Sequence, residues 1–109
     1  MSSSSVTFYL LLLQNGRFYA GRTQDPMKTL QTHREGLGPA WTQIHPPQHF
    51  VEMRPNMDPA TLDVYVASMM EKYGVENVRG GSWSHVRLTD QDRMAVREAA
   101  GGQSGCVIC

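Results

Sequence analysis

The sequence predicts a small mixed α/β (α+β) sandwich, in which helices flank a three-stranded, mainly antiparallel sheet. Two runs on either side of an Asn-Gly step predict a β-hairpin, because both residues tolerate the positive φ angles of a type I′ turn. Two Asp-Pro pairs predict the starts of two helices. A length of 109 residues with 40% hydrophobic and 18% charged residues is typical of one globular domain.

The hairpin comes first along the chain. Residues 1–5 are polar and serine-rich, and we expect them to be disordered. Val6–Leu13 is a β-rich apolar run that is long enough for a buried strand. Residues 17–22 form its partner across the Asn15-Gly16 turn, which is the strongest local signal in the sequence.

Two helices and a third strand follow the hairpin. The first helix begins at the Asp25 cap, runs to about Glu35 and ends at Gly36. After an irregular segment that contains a Pro-Pro pair, the alternating residues 49–53 predict the third strand. Residues 59–73 carry apolar side chains at helical spacing, so we expect this second helix to pack on the sheet.

The remaining chain predicts a loop, a helix and a tail. Residues 79–81, with the sequence Arg-Gly-Gly, are expected to form a loop. Thr89 and Asp92 have the spacing of a helix cap, which predicts a last helix over residues 89–100. Residues 101–109 begin with a glycine-rich stretch and are expected to form a flexible tail.

The charge balance and the cysteine positions exclude several classes of protein. Ten Lys and Arg residues balance ten Asp and Glu residues, so any nucleic-acid binding must rely on a local patch. The longest apolar run is far shorter than a membrane span, and no basic segment precedes it as in a signal peptide. Because both cysteines lie in the last four residues, no disulfide framework is expected. We therefore expect a soluble intracellular protein, nuclear or cytoplasmic.

A hairpin with Tyr9 and Tyr19, followed by a helix that contains His33, resembles the GIY-YIG nuclease family. Thr7-Phe8-Tyr9 and Tyr19-Ala20-Gly21 stand in place of the two family signatures, with both tyrosines and the second glycine kept. The stretches GLGPAWT and EKYGVENVRGGSWS look like a subgroup found in large DNA viruses and diverse eukaryotes. The resemblance covers most of residues 6–88 and implies a GIY-YIG-like domain over that range.

The resemblance implies a divalent-metal-dependent endonuclease that hydrolyses phosphodiester bonds of DNA, with RNA as a second substrate class, using Mg²⁺ or Mn²⁺. It makes Tyr19 the candidate general base and Tyr9 its positioning partner. His33 matches a family position from which an imidazole orients water or contacts phosphate. Asn77 stands where the family keeps an asparagine near the end of its core.

Two positions depart from the family pattern. Thr29 replaces the family's arginine, four residues before His33, and Arg22 is the candidate electrostatic replacement. On the second long helix the shorter Asp63 replaces the family's glutamate as the candidate metal ligand. These departures leave open weak catalysis, no catalysis, and a non-catalytic module of the same fold that binds nucleic acid or a protein.

Basic residues near the hairpin predict contacts to nucleic acid. Residues 17–34 carry several cations against one aspartate, and Lys28 and Arg34 lie on the predicted first helix. Arg79 precedes two glycines that would let the main chain approach a phosphate closely, although a tight turn is the plainer interpretation.

The last four residues carry a separate pattern. Cys106-Val107-Ile108-Cys109 resembles a prenylation signal, and a lipid on Cys106 would tether the chain to a membrane. Alternatively, the C-x-x-C spacing matches the start of a zinc knuckle, and free thiols are the third reading. The sequence does not constrain the oligomeric state.

Overall fold

The computed structural model describes residues 5–104. The chain begins with two strands and two helices and then alternates between strand and helix, and single 3₁₀ turns at Gln14–Gly16 and Pro59–Thr61 join neighbouring elements. The elements are β1 (Val6–Leu13), β2 (Phe18–Thr23), α1 (Pro26–Arg34), α2 (Ala40–Ile44), β3 (Pro47–Met57), α3 (Leu62–Tyr73), β4 (Val78–Gly80) and α4 (Asp90–Ser104).

The four strands form one sheet in the order β3-β1-β2-β4. The first three strands are antiparallel neighbours, whereas β4 lies parallel to β2. The predicted mixed α/β class with flanking helices is therefore confirmed, but the predicted count of three strands is wrong. The first two residues of the Arg-Gly-Gly segment, which was expected to be a loop, belong with Val78 to the fourth strand. At three residues this strand is too short to show strand periodicity.

The hairpin forms as predicted. Asn15 and Gly16 have φ angles of 66° and 69°, as a turn with positive φ at both central positions requires. The Leu13 N–H donates a hydrogen bond of 2.8 Å to the Arg17 carbonyl and closes the turn. This turn fixes the register that pairs Tyr9 with Gly21.

The third strand is longer than the sequence predicts. It runs from Pro47 to Met57 and lies at the edge of the sheet. Pro55 has no N–H to donate, which an edge strand tolerates because one of its sides has no neighbouring strand. The segment before it, predicted to be irregular, contains the short helix α2.

Side chains on the two faces of the sheet build two separate core clusters. Phe8 and Leu10 on one face pack with residues of α3 and α4. Tyr9 and Leu11 on the other face pack with Leu30 of α1 and with α2. The alternation of strand side chains thus directs the first tyrosine toward α1 and α2.

The predicted helix caps are present. Asp25 accepts a hydrogen bond from the Lys28 N–H at the start of α1. Thr89 and Asp92 form a reciprocal pair of bonds, in which each side chain accepts the other's N–H at 3.0 and 2.9 Å.

The helix α4 ends later than the sequence predicts. It continues past Ala100 through residues 101–104, because glycine weakens a helix by about 1 kcal/mol per residue without forbidding it. Residues 1–4 and 105–109 lie outside the described part of the chain, so the readings of Cys106 and Cys109 stay predictions. No helix within residues 5–104 is both long and apolar enough to cross a bilayer.

Candidate functional site

One cleft brings together side chains from the hairpin, the start of α3 and the turn after β4. Its volume is about 420 Å³. Of the predicted site residues, Tyr9, Tyr19, Arg22 and Asp63 line this cleft. The other lining residues are Gly21, Pro59, Ala60, Leu62, Gly81 and Ser82.

The two tyrosines converge because position 21 has no side chain. Tyr9 pairs with Gly21 across the hairpin, and Tyr19 lies two residues before Gly21 on the same face of the sheet. Their ring centroids are 6.3 Å apart. A Cβ atom at position 21 would lie 2.6 Å from the Tyr9 hydroxyl oxygen and 3.1 Å from Cε2 of Tyr19. Glycine is therefore needed for both phenols to occupy the cleft.

Tyr9 is connected to a buried histidine. Its hydroxyl lies 3.1 Å from Nε2 of His33, and Nδ1 of His33 lies 3.1 Å from Oγ1 of Thr42. Thr42 in turn donates a hydrogen bond to the Pro39 carbonyl. Burial raises the pKa of Tyr9 above its ordinary value, the neighbouring Tyr19 adds to the shift, and burial lowers the pKa of His33. At neutral pH the phenol is thus protonated and the imidazole is neutral.

Tyr19 has a different environment from Tyr9. Its hydroxyl lies 3.4 Å from Oγ of Ser84, which donates a hydrogen bond to the Gly81 carbonyl. A serine hydroxyl is a far weaker proton acceptor than a neutral imidazole. The ring of Tyr19 lies 5.3 Å from the His33 ring, but among residues 5–104 it is the Tyr9 hydroxyl, and not that of the predicted general base Tyr19, that hydrogen-bonds to the imidazole.

Asp63 lies in the first turn of α3 and contacts the segment after β4. One carboxylate oxygen accepts the Ser82 N–H at 2.9 Å, and the other accepts the Ser82 hydroxyl at 2.6 Å. Gly81 makes this contact possible, because a Cβ atom there would collide with the Asp63 carboxylate. These bonds fix the carboxylate at the wall of the cleft and leave lone pairs on both oxygens.

The cleft could hold a metal ion that keeps most of its water ligands. Within residues 5–104 no three His, Cys, Asp or Glu side chains cluster closely enough to form a protein-built metal site. Mg²⁺ is commonly held by one or two carboxylates together with water and substrate phosphate, and the Asp63 carboxylate fits that mode.

Arg22 supplies positive charge at the same cleft. It is exposed, and no ion pair or side-chain hydrogen bond to its guanidinium exists among the described residues. Thr29, at the position of the family's arginine, makes a hydrogen bond of 2.6 Å to Thr23 instead. It lies one helical turn before His33 on the same face of α1.

Three predicted residues lie away from the cleft. The side-chain amide of Asn77 donates a hydrogen bond to the Tyr73 carbonyl, and the backbone carbonyl of Asn77 accepts the Phe18 N–H. Asn77 therefore joins the end of α3 to β2. Lys28 and Arg34 are exposed on α1, where Arg34 donates to the Gln48 carbonyl at 3.2 Å. The structure leaves these two cations on the surface and gives Asn77 a structural position.

Arg79 is a buried structural residue. It is 2% exposed, and its guanidinium contacts the Trp41 ring at 4.5 Å. The guanidinium donates hydrogen bonds to the carbonyls of Val75, Val78, His85 and Val86. The prediction that Arg79 contacts nucleic acid is corrected accordingly, since its donors already have partners inside the protein.

Sequence reasoning missed four residues that shape the site: Thr42, Gly38, Ser82 and Ser84. The first two lie in the GLGPAWT stretch and the others in the GGSWS stretch, both of which the resemblance had marked as segments without assigning their residues. When a hydroxyl and its hydrogen-bond partner lie on elements far apart in the sequence, the residues around either group do not reveal the contact.

The burial of two phenols predicts a specific alkaline titration. Burial raises the pKa values of both Tyr9 and Tyr65. At about pH 11, one unit above an ordinary phenol, we expect these two tyrosines to stay protonated in the folded chain. Because their pKa values are raised on folding, the stability they confer is complete below about pH 10 and is lost as the pH rises further.

The measurement is ultraviolet titration of tyrosinate, combined with unfolding at several alkaline pH values. Tyr9→Phe should remove one protonated phenol and flatten the loss of stability with pH. Ionisation of all four tyrosines of the folded chain near pH 10 would contradict the burial of Tyr9.

The fold and the cleft define a small α/β protein with a polar, tyrosine-lined site. The chain is 42% identical over 53 residues to a UPF0213 protein of Xanthomonas campestris pv. campestris, a match covering 49% of this chain and 52% of the relative. A UPF0213 protein of Bacillus velezensis is 43% identical over 47 residues, or 43% of this chain and 48% of the relative. The chain thus spans about half the length of these relatives.

A third comparison shows the family. The chain is 31% identical over 61 residues to a UPF0213 protein of Neisseria meningitidis serogroup A, covering 56% of this chain and 67% of the relative. The chain therefore belongs to the family of UPF0213 proteins. No family model matches the chain, and no solved structure matches it.

Proposed function

We propose that this chain is a GIY-YIG-like, divalent-metal-dependent endonuclease that hydrolyses phosphodiester bonds of DNA, with RNA as a second substrate class. The observation that carries the proposal is the convergence of two phenols, a carboxylate and an unpaired guanidinium in one cleft. The sequence resemblance to the GIY-YIG family supports it, as does membership of the UPF0213 family, which is GIY-YIG-like.

Each side chain has a role that its position supports. Arg22 would neutralise the charge of the phosphate, because its guanidinium has no partner inside the described chain. The phenols of Tyr9 and Tyr19 would orient the attacking water beside the phosphorus. Tyr9 additionally contacts His33, a neutral imidazole that can accept a proton.

Asp63 would hold the metal ion. A bound Mg²⁺ or Mn²⁺ supplies charge stabilisation for the phosphate and its leaving oxygen. The two hydrogen bonds from Ser82 fix the carboxylate, so the shorter aspartate side chain is oriented before the ion binds.

Surface cations extend the proposed contact to nucleic acid. Lys28 and Arg34 are exposed on α1, the helix that also carries His33. They would contact backbone phosphates beyond the scissile one, and such contacts position a strand without reading its sequence.

A specific observation favours a second candidate function, that of a non-catalytic module that binds nucleic acid. Thr29 replaces the family's arginine and its hydroxyl is bonded to Thr23, so α1 offers no guanidinium at that position. Salt-sensitive binding without cleavage would support this module.

The test incubates the full chain with branched DNA, linear DNA and RNA, with Mg²⁺ or Mn²⁺ and with a chelator. We expect metal-dependent cleavage, and a stronger rate from Thr29→Arg, because an arginine there lies one turn from His33 on the same helix face. Gln31→Arg is the matched control, since it adds the same charge to α1 about 200° around the helix from Thr29.

The variants separate the two candidate functions. Cleavage by the wild type would support the nuclease. Gain of cleavage by Thr29→Arg, with none from the wild type or Gln31→Arg, would identify an intact nuclease fold that is disarmed at the arginine position. Failure of the wild type and of both variants to cleave any of these substrates, with binding that weakens as salt rises, would replace it by the binding module.

A further inference from the structure

Beneath the cleft a chain of four polar groups runs inward from Tyr9. The Tyr9 hydroxyl contacts Nε2 of His33, Nδ1 of His33 contacts the Thr42 hydroxyl, and that hydroxyl contacts the Pro39 carbonyl. The three side chains are 3%, 6% and 1% exposed, so water does not compete freely for these bonds. The direction of the protons along the chain follows from the chemistry of its inner end.

The outer end of the chain can take either role. The Tyr9 hydroxyl makes one side-chain hydrogen bond within residues 5–104, to Nε2 of His33. A protonated phenol can donate to Nε2 or accept from an Nε2–H, so this contact is compatible with both neutral tautomers of His33.

The inner end of the chain sets the direction of the protons. The Pro39 carbonyl can only accept, so the Thr42 hydroxyl donates to it and offers a lone pair to the Nδ1–H of His33. Gly38 keeps this contact open, because a Cβ atom at position 38 would collide with both His33 and Thr42.

We infer that Thr42 is a positioning residue that holds His33 as its Nδ1–H tautomer, so that Nε2 can take the proton of Tyr9 during hydrolysis. The inference rests on the proposed function for its catalytic half. In the step, the attacking water gives a proton to the Tyr9 oxygen while the Tyr9 hydroxyl proton moves to Nε2. The water's electron pair forms the bond to phosphorus, and the leaving oxygen departs with the pair of the broken P–O bond and takes a proton from solvent.

This relay avoids a free phenolate on Tyr9 and places the charge on His33, where burial also disfavours it but the bond to the Thr42 hydroxyl stabilises it. A free phenolate of Tyr9 would be costly, because burial raises the pKa of that hydroxyl. A concerted transfer through the phenol never forms the phenolate and places the positive charge on His33. The imidazolium keeps its Nδ1–H bond to Thr42, so no donor is left unpaired when the proton arrives.

The test reads the tautomer directly. Long-range ¹H–¹⁵N spectra of the full chain, with His33→Gln to assign the signals, should show His33 with a protonated Nδ1 and an unprotonated Nε2. Thr42→Val keeps the side-chain shape but removes the acceptor, so the Nε2–H tautomer should become the main form. Thr42→Ser restores a hydroxyl and should restore the wild-type spectrum.

Single-turnover cleavage tests the catalytic half. Thr42→Val should slow the chemical step by about tenfold or more with DNA binding unchanged, and Thr42→Ser should recover the rate. An Nε2–H tautomer in the wild type, or an unchanged tautomer in Thr42→Val, would overturn the positioning role. Equal cleavage rates for wild type and Thr42→Val would overturn the relay. If the wild type and Thr29→Arg cleave nothing, the proposed function and the relay both fail, while the spectra still decide the tautomer.

Discussion

Replacing Arg79 by methionine should destabilise the fold by at least about 3 kcal/mol. The variant removes the donor from one buried and three partly buried carbonyl groups, and a buried group left unpaired costs about 1–3 kcal/mol. It also removes the guanidinium from the face of the Trp41 ring, whose N–H joins α2 to the Phe18 carbonyl of β2. For a domain of this size we expect Tm to fall by at least about 12 °C.

The measurement is thermal and urea unfolding of the full chain, with Arg87→Met as the matched control. Arg87 lies on the surface eight residues later, so its replacement should leave Tm almost unchanged. An Arg79→Met variant as stable as the wild type would contradict the structural role of this residue and reopen its predicted contact with nucleic acid.

Replacing Asp63 by asparagine should lower Mg²⁺-supported cleavage by about 100-fold or more. A bound metal ion supplies several kcal/mol of charge stabilisation, and each 1.36 kcal/mol changes the rate about tenfold. The amide has nearly the shape of the carboxylate and can still accept the Ser82 N–H, so the fold should be retained. Cleavage is measured in the wild-type chain or, if the wild type does not cleave, in the Thr29→Arg variant.

The matched control for Asp63→Asn is Glu71→Gln, which neutralises an exposed carboxylate on the same helix but outside the cleft. Its cleavage rate should equal that of the parent chain. Full activity of Asp63→Asn with Mg²⁺ would show that the metal ion is held elsewhere, and loss of folding in Asp63→Asn would assign Asp63 to structure instead.

Local signals in the sequence predicted most of the antiparallel core and the longer helices. The Asn15-Gly16 turn fixed the hairpin and its register, which in turn placed Tyr9 and Tyr19 on one face. The caps at Asp25 and Thr89 marked helix starts that the structure confirms. These features depend on residues close together in the chain, so the local order of residues reveals them.

The missed features depend on contacts between distant residues. The strand β4 is stabilised by pairing with β2, and its three residues carry no periodic pattern of their own. Arg79 looked like a surface cation beside glycines, and only the return of the chain around residues 85 and 86 buries it. Charged residues are rarely buried, so reasoning from the sequence places Arg79 on the surface.

The candidate site likewise combines residues that the sequence predicts with residues whose roles depend on tertiary contacts. The resemblance selected Tyr9, Tyr19 and Asp63, and its missing arginine led to Arg22 as a replacement. The structure brings all four into one cleft. The resemblance did not select Thr42 or Ser82, since their roles arise from hydrogen bonds to a histidine and a carboxylate on other elements. Small polar residues acquire such roles through tertiary contacts that their own sequence context does not encode.

Single-turnover cleavage of a branched DNA with Mg²⁺, comparing the parent chain with its Tyr9→Phe variant, tests whether this cleft hydrolyses phosphodiester bonds. The parent is the wild type, or Thr29→Arg if the wild type does not cleave the DNA. Tyr73→Phe serves as the control, because it removes a phenol that stacks on Phe18 away from the cleft. We predict metal-dependent product that Tyr9→Phe reduces by about 100-fold and Tyr73→Phe leaves unchanged. Equal product from the parent and Tyr9→Phe, or none from the wild type, would contradict hydrolysis of phosphodiester bonds by this chain, and product from Thr29→Arg alone would identify a cleft that lacks only the arginine.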